Sequence, residues 1–266
     1  MKRKPISALL IPILSLLLIA CGGGATQQPT SLPAATQPPS VEETEPPAAE
    51  GYQGGSVTDG GTISGRITYS GAPVASETIA VDKDLEVCGE NIEIVKVQTD
   101  DSGGLVNAVV RITDIASGKP LDSLGSDFVI DQAGCAYLPS AIVVPVGESL
   151  TVLNSDGILH NIHTTPFDNA PLNVAQPATQ LEISSAPFTI PEIIPVGCDV
   201  HKWMNATIVV VDNPYAVVTG ADGSFTLTDV PAGTYEIEVW HAELGTQTTT
   251  VTAEAGGEAT VEVDFP

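Results

Sequence analysis

The sequence predicts an all-β protein built as a sandwich or barrel, and three observations carry that prediction. Runs with helical periodicity are scarce. Short stretches rich in Val, Ile and Thr recur along the chain, punctuated by Gly, Pro, Asn and Asp; with 25 Gly and 21 Pro in 266 residues, few stretches are long enough for a helix. The closing segment, Thr246–Phe265, alternates apolar and polar side chains, as a half-buried strand must when successive side chains point to opposite faces.

Taken in order, the chain opens with Lys2, Arg3 and Lys4 ahead of an apolar run from Ile6 to Ala20. That run is too short and wrongly flanked for a membrane span, so residues 1–20 read as an export signal. It ends Leu18-Ile19-Ala20-Cys21, which resembles the lipobox of bacterial lipoproteins. The resemblance implies cleavage before Cys21, lipid on that cysteine, and a protein anchored to a membrane at the extracytoplasmic face of the bacterial cell envelope. An ordinary export signal with a chance cysteine is the alternative. Residues 21–60 are Pro, Thr, Ser, Gln, Ala and Glu with little to bury, which predicts a disordered tether with a reach of roughly 30–40 Å.

Strands are predicted near Gly61–Tyr69, Ala108–Thr113, Ala141–Val146, Ser149–Asn154, Ile193–Val196, Thr207–Val211, Ser224–Thr228 and Gly233–His241, ahead of the alternating C-terminal segment. Turn chemistry separates them at Pro145-Val146-Gly147, Ala221-Asp222-Gly223 and Val230-Pro231-Ala232-Gly233. About 205 residues follow the tether, enough for one large or two small domains.

The charge is strongly acidic, with 9 Lys and Arg against 33 Asp and Glu, a net −24. Loss of Lys2, Arg3 and Lys4 with the signal takes −24 to −27. This argues against nucleic acid as a partner. It favours a cationic protein partner or a simply solvated surface. Of the four cysteines, Cys21 is assigned to lipid, and three remain in a compartment that permits disulfides. Three is odd, and Cys198 alone has metal-type neighbours. A Cys88–Cys135 disulfide and a free Cys198 are therefore expected.

The C-terminal stretch Thr219-Gly-Ala-Asp-Gly-Ser-Phe-Thr-Leu-Thr-Asp-Val-Pro-Ala-Gly-Thr-Tyr235 resembles the transthyretin-like, or carboxypeptidase regulatory-like, domain. Gly61-Thr-Ile-Ser-Gly-Arg-Ile67 and Ala108-Val-Val-Arg-Ile112 resemble that family's opening strands. Opening and closing parts lie far apart in the chain, which implies one β-sandwich (61–125 and 213–266) with a second β-domain (126–212) inserted. Two domains in tandem are the alternative.

The inserted block holds Asn154-Ser-Asp-Gly-Ile-Leu-His-Asn-Ile-His163 and, downstream, Gly197-Cys-Asp-Val-His-Lys-Trp-Met204. A strand leading to a His-Asn pair, then a C-x-x-H-x-x-M loop, resembles the cupredoxins of plastocyanin and amicyanin type, with their Greek-key β-sandwich. The resemblance implies one copper ion, with His160, Cys198 and His201 as equatorial ligands and Met204 as a weak axial one. Asn161 would pin the two ligand loops together. Trp203, placed between two of these residues, is expected to shield the metal or dock a partner, with a packing role as the alternative. The exposed edge of His201 would be the electron port.

The residue types suit that metal on their own. Two imidazoles and a thiolate with a thioether above accommodate both oxidation states of copper, whereas zinc prefers a closed set without methionine. Four histidines in all are too few for the additional copper centres of an oxidase or nitrite reductase, so no enzymatic activity is expected. His163 is expected at the surface or just behind the ligands, and His241 in an exposed loop, with packing near the copper loop as the alternative.

The expected function is single-electron transfer to or from a redox protein with a basic surface, such as a cytochrome. Copper storage, delivery or sensing is one alternative. A scaffold or adhesion lipoprotein with an incidental metal site is the other.

Overall fold

The structure, a computed structural model, describes residues 51–266. The segment read as an export signal, the expected lipidation site at Cys21 and most of the expected tether lie outside the described residues. Strands dominate, and the protein is an all-β assembly of sandwiches.

One sandwich is made from the two ends of the described chain. Its larger sheet runs Ala216–Val218, Val109–Ile112, Gly233–His241, Gly245–Ala253. Its smaller sheet places Gly61–Tyr69 between Ser224–Val230 and Glu258–Phe265, the latter parallel to it from Thr62↔Glu258 to Tyr69↔Phe265. The alternation read in the sequence here faces a core on one side only: Val261, Val263 and Phe265 are buried while Thr260, Glu262 and Asp264 are not. They pack with Ile63, Ile67, Ile112, Phe225 and Ile237. Gly65 is required where these strands meet, because a Cβ there would stand 1.8 Å from the Val261 carbonyl oxygen.

Residues 129–211 form the other pair of sheets. A four-stranded sheet runs Glu182–Ser184, Thr151–Asn154, Val129–Ala133, Ala136–Leu138, and a five-stranded sheet runs Asn173–Gln176, His160–Thr164, Glu192–Gly197, Asn205–Val211, Ala141–Pro145. Ile130, Leu150, Val152, Ile162, Ile194, Ile208 and Val210 fill the space between them. The run Thr207-Ile-Val-Val-Val211 does not alternate because both its faces are covered. Ile208 and Val210 join this core, while Val209 and Val211 pack on the opposite face with Val109 and Ala216 of the other sandwich.

Two segments depart from expectation. The tether does not run free to residue 60. Gln53–Gly54 pairs with Ser117–Gly118, and the Tyr52 hydroxyl donates to the Lys119 carbonyl at 2.6 Å while its ring meets Tyr215 edge-on. An aromatic ring with a satisfied hydroxyl offsets the entropy of ordering this segment.

The second departure is a hairpin, Glu77–Ala80 with Asn91–Ile94, carrying the short helix Leu85–Cys88 at its tip. Its place in the sequence assigned it to the discontinuous sandwich. Its side chains Ile79, Val81, Cys88, Ile92 and Ile94 instead pack into the core of the inserted one. Cys88 is bonded to Cys135 there, the pairing that cysteine arithmetic predicted. The hairpin is a cap on the inserted sandwich.

Candidate metal centre

His160 opens the strand His160–Thr164, and Cys198, His201 and Met204 lie on the loop between Glu192–Gly197 and Asn205–Val211. Those elements are neighbours in one sheet, so the loop turns back over the end at which His160 starts. Ligand atoms of His160, Cys198 and His201 fall within 4.8 Å of one another, and all three residues are buried. Met204, 1% exposed, sits in the same loop, its N–H donating to the His201 carbonyl at 3.0 Å. Cys198 is a free thiol whose sulfur accepts the His201 backbone N–H at 3.3 Å. A second cluster, Cys135 with Asp156 and His160, offers no sulfur to a metal because Cys135 is in the disulfide.

The loop is fixed from outside. The Asn161 side chain accepts the Asp199 N–H at 3.1 Å and donates to Asn173, tying the ligand loop to the strand that carries His160. Trp203 lies over His201 with ring centroids 5.1 Å apart and donates its indole N–H to the Cys135 carbonyl. Tyr137 bridges the Asn161 and Gly197 carbonyls from beneath, and burial with the neighbouring Cys198 pushes its hydroxyl pKa up. It acts as a neutral donor. His163 is partly exposed and contacts Asp199, not the ligands.

Two carboxylates decide the chemistry. Asp156 Oδ2 lies 2.8 Å from His160 Nε2, and Asp84 Oδ2 lies 3.0 Å from His201 Nε2. A carboxylate accepts, so each imidazole carries its proton on Nε2 and leaves a bare lone pair on Nδ1. The two Nδ1 atoms face each other 3.0 Å apart. Burial pulls the His160 pKa below the ordinary imidazole value, Asp156 opposes that shift and His201 adds to it. His160 is therefore a neutral imidazole, not half of an ion pair. Facing lone pairs beside a buried thiol repel one another unless a cation lies between them. The donor set of two nitrogens and soft sulfur fits copper or zinc, and the buried methionine favours copper.

Neither carboxylate was singled out in the sequence. Asp156 had a signal, lying four residues before His160 in the Asn154–His163 motif. Asp84 had none beyond its position four residues before a bonded cysteine, since it is 117 residues away from His201.

Two expectations are corrected here. His201 has no exposed edge: it is 0% exposed, as is His160, because the cap lies over the side on which an electron port was expected. His241 is not in an exposed loop but buried. Together with Trp203, Met204, Trp240, residues 92–96 and Gln98 it lines a cavity of about 400 Å³ between the sandwiches.

Residues 203–266 match the family described as carboxypeptidase regulatory-like domain. No curated protein matches the chain. Among solved structures, the chain is similar to the oxidized form of a point mutant of amicyanin (24% identity, 32% of this chain and 83% of that one, TM-score 0.29). It is also similar to a purple cupredoxin from Nitrosopumilus maritimus (22% identity, 32% and 100%, TM-score 0.27). A copper-containing nitrite reductase from Thermus scotoductus SA-01 gives 20% identity over 32% of this chain and 22% of that one, TM-score 0.27.

Proposed function

We propose that this protein is a type 1 copper protein that carries single electrons, anchored through a lipid on Cys21 at the extracytoplasmic face of a bacterial membrane. The observation that carries the reading is the buried meeting of two bare Nδ1 atoms and the free Cys198 thiol. Copper, when bound there, supplies a one-electron couple between its two common oxidation states.

The chain's own residues do the rest. His160, Cys198 and His201 hold the ion, with Met204 as a fourth, weaker donor. Asn161 and Tyr137 lock the two ligand segments together, so one arrangement serves both oxidation states and little rearranges when an electron moves. Complete burial of both histidines excludes water and exchangeable ligands, which favours a carrier over a protein that releases its metal. The acidic surface, net −24 for the whole sequence, steers a basic partner such as a cytochrome, and that steering weakens as salt rises.

The test is the visible spectrum of the purified protein loaded with Cu(II). An intense band near 600 nm, about the energy of thiolate-to-copper charge transfer in a trigonal site, is expected, bleaching with ascorbate and absent in Cys198→Ser. A colourless protein that holds copper weakly would replace electron transfer by storage, delivery or a scaffold role.

A further inference from the structure

The hydrogen-bond partners of the two imidazoles close a circuit around the site. From His201 Nε2 the contact passes to Asp84, whose backbone carbonyl accepts the Cys88 N–H at 2.9 Å. Cys88 is joined to Cys135. The Cys135 N–H donates to Asp156 at 2.8 Å, and Asp156 receives His160 Nε2. The two Nδ1 atoms complete the ring across the site.

Two members stand in the left-handed backbone region, uncommon for residues other than glycine, asparagine and aspartate. Asp84 has φ 55 and ψ 33, and Cys135 has φ 57. Such positions persist where the surroundings over-determine them. At Asp84 the conformation puts the carboxylate on His201 and the carbonyl on the turn that ends in the disulfide.

Resting on the copper reading above, we infer that Asp84 is a positioning residue for His201, delivered by the disulfide-pinned cap 77–94 and favouring Cu(II) over Cu(I). The carboxylate fixes the proton on Nε2 and raises the basicity of Nδ1. It also adds a second negative charge behind the ligands, beside that of Asp156 and the Cys198 thiolate. One more electron on the metal is then less welcome, because the charges it meets are already negative. The Asp84 side chain keeps 35% exposure, so water screens part of its charge and the effect is set mainly by the hydrogen bond.

The test compares Asp84→Asn and Asp84→Ala with Asp82→Asn, which removes a neighbouring exposed charge without touching His201. Asparagine tolerates the left-handed backbone, so the first variant retains the cap, checked by an intact disulfide. In the copper-loaded protein, Asp84→Asn is expected to lower the Cu(II)-over-Cu(I) preference about tenfold, at the lower end of losses from removing such partners, and Asp84→Ala by more. Asp82→Asn changes it little. Equal ratios in Asp84→Asn and Asp82→Asn would overturn the inference.

A second readout needs no metal: the nitrogen-15 signature of His201 in the metal-free full chain. It is expected to report a protonated Nε2 in the parent and a redistributed proton in Asp84→Ala. The same distribution in both would overturn the role of Asp84 whether or not the copper-loaded protein is blue. An absent blue band in the parent would strike the copper reading alone.

Discussion

The turn around Asp156 and the cap around Asp84 deliver the same group, a carboxylate on Nε2, to two histidines that share one candidate metal site. Asp156 reaches His160 within a loop of four residues, turned by Gly157 at φ +67, and spends its other oxygen on the Gly134 N–H. Asp84 reaches His201 from a hairpin that belongs to the chain before the inserted sandwich begins. The first contact is local and survives any fluctuation that leaves the loop intact. The second exists only while the cap is docked. A long excursion carries a large closure entropy, and the structure offsets it with a covalent bond and four further apolar side chains, Ile79, Val81, Ile92 and Ile94. The two halves of the candidate site therefore depend on different parts of the fold.

The strongest way to break this asymmetry is to cut the cap loose. Replacing Cys88 and Cys135 together by alanine releases a loop of sequence separation 47, a loss of about 4 kcal/mol by chain entropy. Chemical denaturation of the double variant is expected to show a loss of that size, with His201 losing its Asp84 partner and His160 keeping Asp156. A loss under about 1 kcal/mol would mean that apolar packing alone holds the cap.

Asp156→Ala attacks the other half. It strips a carboxylate that is 7% exposed from two turn N–H groups and one imidazole. Hydrogen bonds to a charged group contribute about 1.5–3 kcal/mol each, and relaxation of the turn recovers part, so a net loss of about 2–3 kcal/mol is expected. Cys135, at φ 57 in that turn, should loosen with it. Unchanged stability in denaturant would show the turn to be self-sufficient.

The smallest effect concerns His241, between the sandwiches. Burial holds its pKa below the ordinary imidazole value, against a raising influence from Glu243. The unfolded chain therefore binds a proton first as pH falls. Stability is full above the ordinary value near 6.5, declines as pH drops through it, and levels once the lower folded value is passed. His241→Gln should flatten the fall of the denaturation midpoint as pH drops below about 6.5. An identical slope in parent and variant would assign the acid sensitivity elsewhere.

Legibility follows the range of the interaction. The strand Gly61–Tyr69 occupies the predicted span, and the Thr246–Phe265 alternation is two strands, Gly245–Ala253 and Glu258–Phe265, split at a turn with Gly256 at φ +62. Both carry one buried face, which period-two patterning reports directly. The short strands Val129–Ala133, Ala136–Leu138, Asn173–Gln176 and Glu182–Ser184 were not foreseen. They are brief and mixed in polarity, and their partners, more than their own residues, hold them extended. Among candidate site residues, the Cys198–Met204 spacing and the His160-Asn161 pair could be read because a chelate loop is a local object. The burial of His241 and the partial ordering of the tether by Tyr52 could not, since each depends on a surface assembled from distant segments.

By itself, the amino-acid sequence determined the all-β class, the pairing of Cys88 with Cys135, and a set of donor residues suited to copper. Those properties follow from side-chain periodicity, the parity of the cysteines and the chemistry of a short loop. Only the tertiary structure decided that His201 lies beneath a cap and that Asp84 meets it. Packing brought the hairpin at residues 77–94 onto a core whose own strands begin at Val129, and no pattern within either segment records the other.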